Sequence, residues 1–210
     1  MVEIALRSLQ VTVSALFIST VIGVPTGAWI ALTPFPGKRL MTTLIYTGMG
    51  LPPVVAGLIV YLLLSRSGPL GDLGWLFTTP AMVIAQTIIA VPVIVGMTMS
   101  SILAVDPMLR AQLRALGATH TQAVRAQLYE ARLGIIVGLV AGFGSIISEV
   151  GAVMLVGGNI EGRTRVLTTA VVQETRQGNF DLALAFGLIL LAISFFSNFL
   201  VVLLQGQLNK

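Results

Sequence analysis

The sequence contains no cysteine and a single histidine, His120. Without cysteine there is no disulfide, no thiolate metal site and no cysteine nucleophile. With one histidine, a zinc or iron centre built on several imidazoles is excluded as well. Charge is also scarce: Asp, Glu, Lys and Arg make up 10% of the 210 residues, against about 25% in an ordinary soluble domain. A disordered chain needs low hydrophobicity and high charge, and a soluble globule needs a polar surface. Neither fits a chain that is 56% hydrophobic with a mean hydropathy of +0.96. The natural solvent for this composition is lipid. The net charge is +4 and the pI near 10.1. The basic residues lie between long apolar runs, with no basic stripe interleaved with aromatics, so nucleic acid is not the expected partner. They read as loop charges that orient a membrane protein.

A bilayer core of about 30 Å needs roughly 20 apolar residues in a helix. Five stretches meet this: 9–32, 41–64, 81–104, 133–157 and 182–204. Only the fourth holds a charge, Glu149. A membrane barrel needs short segments of alternating polarity, and these runs are continuous. The expected fold class is therefore all-α, a polytopic membrane protein with five transmembrane helices in one domain spanning 1–210. The start, Met1-Val2-Glu3, lacks a basic cluster, and the first apolar run is too long for a signal peptide. It is read as a retained first span.

Five spans place the connections alternately on two sides. One side receives seven basic residues, Lys38, Arg39, Arg110, Arg114, Arg125, Arg132 and Lys210. The other receives five, Arg7, Arg66, Arg163, Arg165 and Arg176. The positive-inside rule then puts the N-terminus outside and the C-terminus in the cytoplasm of a cell (inner) membrane. Trp29 and Trp75 fall near span ends, where an aromatic belt belongs.

The segment 105–132 is the long cytoplasmic connection. Asp106-Pro107 is a helix start, Asp as cap and Pro at the first helical position. Leu109, Leu113 and Leu116 recur at helical spacing, with Arg110 and Arg114 on another face. Gly117 ends the run and suits a left-handed backbone. Thr119 or Thr121 caps a second helix carrying Val124, Leu128 and Leu133. The segment reads as helix, glycine turn, helix. Two readings stand: an interfacial hairpin whose arginines meet lipid phosphates, or a rigid knob on which a soluble partner docks and moves the spans.

Inside the spans, Pro25, Pro52-Pro53 and Pro92 predict kinks that make room for a cavity or act as hinges. Gly23/Gly27 and Gly138/Gly142 predict close helix contacts. Glu149 at membrane depth needs a partner or water. It caps or hydrogen-bonds a neighbouring broken helix, pairs with an arginine, or belongs to a gate. Ser145 and Ser148, at i and i+3, and Thr87 and Thr98 in the third span offer neutral donors to a solute; back-bonding to helix carbonyls is the plainer role for each. In the outer connection, 158–181, a helix over 166–177 ends at Gly178-Asn179. Arg163, Arg165 and Arg176 around it suggest an anion funnel, or headgroup contacts and pairing with Glu161, Glu174 and Asp181.

The 110–135 stretch, RAQLRALGATHTQAVRAQLYEARLGI, resembles the coupling segment of ABC importer permeases. Ala111-Gln112-Leu113 stands where the family has Glu-Ala-Ala, and Tyr129-Glu130 where it often has Leu-Pro. YEARLGIIVGLVAGFGSIISEVGAVMLVGGNIEGRTRVLTTAVVQE (129–174) and GLPPVVAGLIVYLLLSRSGPLG (50–71) resemble the tungstate-importer permeases. SEVGAVMLVGGNI (148–160) carries most of the likeness, and molybdate permeases share a related form. The resemblance implies a type I importer permease fold, a second copy of the chain as partner, and import of tungstate, molybdate or another oxyanion. It implies that Arg110, Arg114, Leu116, Gly117, Ala118 and Thr119 meet a separate ATP-binding cassette ATPase, and that an extracytoplasmic binding protein delivers the anion near the outer connection. The chain has no Gly-x-x-x-x-Gly-Lys-Ser/Thr loop; it is read as a transport subunit rather than an enzyme, with no cofactor of its own, ATP being used by the partner.

Two other classes compete. An intramembrane protease needs Ser–His or paired Asp within the bilayer, and no span holds an aspartate or the histidine. A self-contained channel or secondary transporter usually shows inverted repeats and several intramembrane ionisable groups, against one here.

Overall fold

A computed structural model describes residues 1–208, with side chains for all of these except 201 and 204–208. Lys210, counted above as a cytoplasmic-side charge, lies outside the described residues. The described chain is helical. The order is α1 (Val2–Leu32), α2 (Lys38–Met49), α3 (Pro53–Leu64), α4 (Thr79–Leu103), α5 (Pro107–Ala115), α6 (His120–Glu130), α7 (Arg132–Ile147), α8 (Gly151–Gly157), α9 (Leu167–Gln177) and α10 (Phe180–Leu208), with a single 3-10 turn at Gly71–Leu73. Three helices are long and apolar enough to cross a membrane: α1, α4 and the Phe180–Leu200 part of α10. The count rises to five if two bent pairs, α2 with α3 and α6 with α7, each form one span.

α4 is the central helix. More than half of its most apolar stretch is buried, against about a quarter in α1 and a tenth in α10, so the outer helices present apolar side chains such as Phe17, Leu188 and Phe196 outward. Lipid is the solvent that makes such a surface stable. Small residues let the helices close on α4. An added Cβ at Gly23 would lie 2.7 Å from Ile94 Cγ2, and one at Gly27 2.6 Å from the Val95 carbonyl oxygen. On the other side, Gly138 faces Met97 at 2.6 Å and Gly142 faces Ile94 at 3.1 Å. Both glycine pairs therefore serve packing, as their spacing predicts.

These contacts fix directions. Going up α1 from Gly23 to Gly27, the partners on α4 rise from Ile94 to Thr98, so the two run parallel. Along α7, Gly138 meets Met97 and Gly142 meets Ile94, so α7 runs the other way. The start of α10 packs with Ile4 and Ala5 at the start of α1 through a cluster around Leu167, Ala170 and Phe186. Arg7 donates to the Gly162 carbonyl at 2.9 Å. The N-terminus and the 158–178 connection therefore share one end of the bundle, and the 105–131 hairpin occupies the other. This alternation is the one five crossings require.

Two expected spans are not continuous. The stretch 41–64 is split into α2 and α3, whose axes differ by 100°. The cause is Leu51-Pro52-Pro53: a residue before proline is driven out of the α region, and Pro52 sits at φ −58, ψ 123. The stretch 133–157 breaks at 148–150 between α7 and α8. Pro25 and Pro92, read as kinks, lie inside unbroken helices.

Candidate functional site: a paired helix break and a projecting hairpin

The two breaks meet. α3 and α8 start beside each other: an added Cβ at Gly151 would lie 2.6 Å from Val54 Cγ2, and one at Gly57 2.5 Å from Ala152 Cα. Interrupting a helix at membrane depth frees backbone groups that must be satisfied by other protein atoms. Side chains do this at the 148–150 break. The Gln86 amide, from α4, donates to the Ile146 carbonyl at 2.9 Å. Glu149 Oε1 accepts the Ala152 N–H at 2.9 Å, capping α8. Thr168, from α9, donates to the Glu149 carbonyl at 3.0 Å. Of the roles open to Glu149, the structure realises the cap on a neighbouring broken helix; no arginine pairs with it among the described residues. A carboxylate at a helix N-terminus also meets the positive end of the dipole.

Gln86 and Thr168 did not emerge from the sequence. Gln86 is 4% exposed, and its Oε1 has no hydrogen-bond partner among the described residues. The available signal was a lone amide in an otherwise apolar span, which marks a functional or structural position for the same reason that Glu149 does.

Ser145 and Ser148 are both exposed beside this break. The Ser148 hydroxyl donates to the Gly144 carbonyl at 2.8 Å. Thr87 is half-buried, and its hydroxyl donates to the Val83 carbonyl at 2.8 Å. Thr98 is corrected as a pathway residue: it is 1% exposed and packed against Gly27 between α1 and α4. The open face at the break thus brings together Ser145, Ser148 and Glu149, and leaves Thr98 outside.

At the opposite end from the N-terminus, the hairpin is built as the residues predict. The Asp106 carboxylate accepts the Met108 N–H at 2.8 Å. Gly117 adopts φ +89; its N–H reaches Arg114 O and that of Ala118 reaches Leu113 O, both at 3.0 Å, the paired bonds of a glycine-closed helix end. Thr119, rather than Thr121, caps α6, with Gln122 returning the bond to the Thr119 N–H at 2.8 Å. Arg110 bridges to His120 Nε2 at 2.5 Å. The seam is met in part: Leu109, Leu113, Val124 and Leu128 are half-buried. Leu116 is 85% exposed and Met108 58%, whereas α6 buries Ala123 and Gln127 rather than Val124 and Leu128. Arg114 is exposed with no acidic partner among the described residues. A cavity of about 620 Å³ lies at the hairpin's base, lined in part by Ser101, Asp106, Gln112 and Glu130.

At the N-terminal end, Arg163 and Arg176 are exposed. Arg165 is largely covered and pairs with Glu161 at 3.5 Å, so the duller of its two readings holds. Helix α9 ends at Gly178, φ +80, as expected.

A family model described as the binding-protein-dependent transport system inner membrane component matches residues 23–210. The chain is 44% identical over 198 residues to the probable anion ABC transporter permease protein of Haloferax volcanii, covering 92% of this chain and 85% of that protein. It is 37% identical over 200 residues to the tungstate uptake system permease protein TupB of Peptoclostridium acidaminophilum, covering 95% and 88%. Permease proteins named for molybdenum in Bacillus subtilis and for sulfate in Synechocystis match at 27% and 31%. In fold, the chain superposes on a chain of the inward-facing MetNI methionine ABC transporter with a TM-score of 0.75 at 20% identity, over 97% of this chain and 94% of that one.

Proposed function

The chain belongs to the family of binding-protein-dependent transport system inner membrane components, and from that premise we propose that it is the permease subunit of an ATP-driven oxyanion importer, with tungstate as its first substrate. Residues 1–210 act as one transmembrane domain and two copies pair to enclose the path. The 105–132 hairpin faces the cytoplasm and is gripped by a separate ATPase subunit through Arg110, Arg114, Leu116, Gly117, Ala118 and Thr119. A binding protein delivers the anion at the end carrying the N-terminus, where Arg163 and Arg176 raise the local anion concentration. The observation that carries this reading is the hairpin itself: a doubly capped turn with Leu116, Met108 and Arg114 exposed on it and no acidic partner for Arg114 among the described residues. Exposed apolar groups beside unpaired cations at a fixed turn suit a protein partner.

The choice of anion leans on likeness to the anion and tungstate permeases, with molybdate as the alternative. The face at the paired break is compatible with either. The Ser145 hydroxyl, which has no hydrogen-bond partner among the described residues, offers a neutral donor that a multiply charged oxyanion can leave as well as enter. The test is uptake of labelled tungstate into vesicles carrying this chain with its ATPase, supplied with the binding protein. ATP-dependent uptake, with molybdate competing better than sulfate, is the expected result. Uptake by this chain alone, without ATP or binding protein, overturns the assignment.

A further inference from the structure

The hairpin end of the bundle carries a second feature that the transport reading leaves unused. Between Glu3 and Asp72 the sequence has no acidic residue, yet it places Lys38 and Arg39 side by side at the start of α2. Lys38 is committed: its Nζ donates to the carbonyls of Ala31 and Thr33 at 3.2 Å each, closing the end of α1. Arg39 is exposed and has neither a salt bridge nor a side-chain hydrogen bond among the described residues. Beside it opens a groove of about 790 Å³, floored by Phe35 and running along Arg39, Thr43 and Tyr46.

That face has a graded chemistry. Arg39, Thr43 and Tyr46 follow one another along the helix, with the Tyr46 backbone about 10 Å farther along it than that of Arg39 at the usual helical rise. Leu40 and Leu44, on the adjoining strip, are also exposed. No residue of α2 is buried; its Thr42 and Met49 side rests on α4 and the other side is uncovered by this chain. At the same end Trp29 stacks on Phe35 with ring centres 4.6 Å apart, the placement expected of aromatics at a membrane–water boundary. A cation at the surface, a hydroxyl below it and apolar surface beyond match a phospholipid from headgroup to acyl chain.

We propose that this groove binds an anionic phospholipid of the leaflet at the hairpin end, the phosphate on Arg39 and one acyl chain along Tyr46 and Leu44. Charge complementarity selects the occupant: an uncompensated guanidinium beside an apolar strip favours an anionic amphiphile over a neutral one. The inference holds whichever anion the chain transports.

Native mass spectrometry of the purified full-length chain, titrated with phosphatidylglycerol and phosphatidylcholine of equal chain length, tests it. Phosphatidylglycerol should be retained preferentially. Arg39→Gln should reduce that retention about fivefold, the factor one basic residue contributes near an anionic surface, and Arg39→Lys should keep most of it. Tyr46→Ala should weaken retention of the lipid without changing the protein's melting temperature by more than a few degrees. The Arg39 side chain is exposed and makes no salt bridge or hydrogen bond among the described residues, so its variants should fold. Equal retention by Arg39→Gln overturns the proposal. So does displacement of the lipid by millimolar inorganic phosphate, which would mark a free-anion site. A changed oligomeric mass in Arg39→Gln with lipid retention intact would assign the face to a second copy and also overturn it, as would loss of the lipid preference in Arg110→Gln/Arg114→Gln instead.

Discussion

Replacing Gly117 by aspartate separates the folding of the hairpin from its use. The residue sits at φ +89, where an L side chain carries about 1–2 kcal/mol of strain; aspartate lies toward the low end because it tolerates left-handed backbone. No steric term adds to this, since a Cβ at Gly117 meets nothing within 4 Å. The two bonds that close the turn run between backbone atoms of 113–118 and are not removed by the substitution. The native turn therefore loses a factor of about 5–30 in population at most, and the bundle, which does not touch Gly117, should insert and melt as before. Gly117→Ala carries the same backbone penalty without a charge. If the hairpin docks into an ATPase cleft, Gly117→Ala should weaken assembly by up to that factor. Gly117→Asp should abolish ATP-driven uptake, because a carboxylate and its hydration are added at the tip of the docking surface. Co-purification of the ATPase and vesicle uptake read the two effects apart from membrane insertion. Wild-type uptake by Gly117→Asp would refute the docking role.

Gln86→Leu removes a transmembrane hydrogen bond worth about 0.6–1.7 kcal/mol but also removes the buried, unpartnered Oε1, whose burial costs about 1–3 kcal/mol. The Ile146 carbonyl keeps a second donor, the Glu149 N–H at 3.3 Å. The melting temperature should hold or rise while uptake falls, and a fall in both would make Gln86 merely structural. Glu149→Ala loses the cap on α8 and should cost about 1 kcal/mol, whereas Glu149→Gln keeps an acceptor oxygen for the Ala152 N–H and should melt close to wild type. Gly57→Val drives a side chain into the Ala152 backbone and should destabilise by about 1–3 kcal/mol; Ala152→Gly should not rescue it, because the nearest atom is the Ala152 Cα. Thermal unfolding in detergent checks both.

What could be read in advance follows the range of the interaction. Asp106, Gly117, Thr119 and Gly178 act on backbone within a few residues, and each does in the structure what its type and position predict. The glycine pairs were legible because four-residue spacing alone puts them on one helix face. The hairpin's seam is met in part, because leucine spacing says which residues share a face, not how deeply that face is covered: Leu109, Leu113, Val124 and Leu128 are half-buried and Leu116 is exposed, while α6 buries Ala123 and Gln127. The break at Pro52-Pro53 was visible as a kink, but its 100° angle is set by how α2 and α3 pack on α4 and α8. The break at 148–150 has no proline; its local support is the Glu149 carboxylate on the Ala152 N–H, and the rest comes from afar, where Gln86, 60 residues away, and Thr168, 19 residues on, satisfy the backbone that it exposes.

Every arginine and lysine lies outside the five apolar stretches, and the one acid within them is Glu149. Its carboxylate is already engaged with the α8 amide, next to the positive end of a short helix that would otherwise attract an anion. If the oxyanion path proposed above runs past this break, the anion meets the Ser145 hydroxyl and backbone there rather than a fixed countercharge, with a carboxylate beside it that discourages it from stopping. Tight binding at that level would slow release, so a permease that receives its anion from a binding protein, as proposed above, gains from a site that orients the anion without holding it. Glu149→Gln tests this beyond stability. With the cap preserved and the charge removed, the same ATP-driven vesicles should retain more labelled anion on the protein and deliver less to the lumen. Unchanged delivery would leave Glu149 with the cap as its whole role.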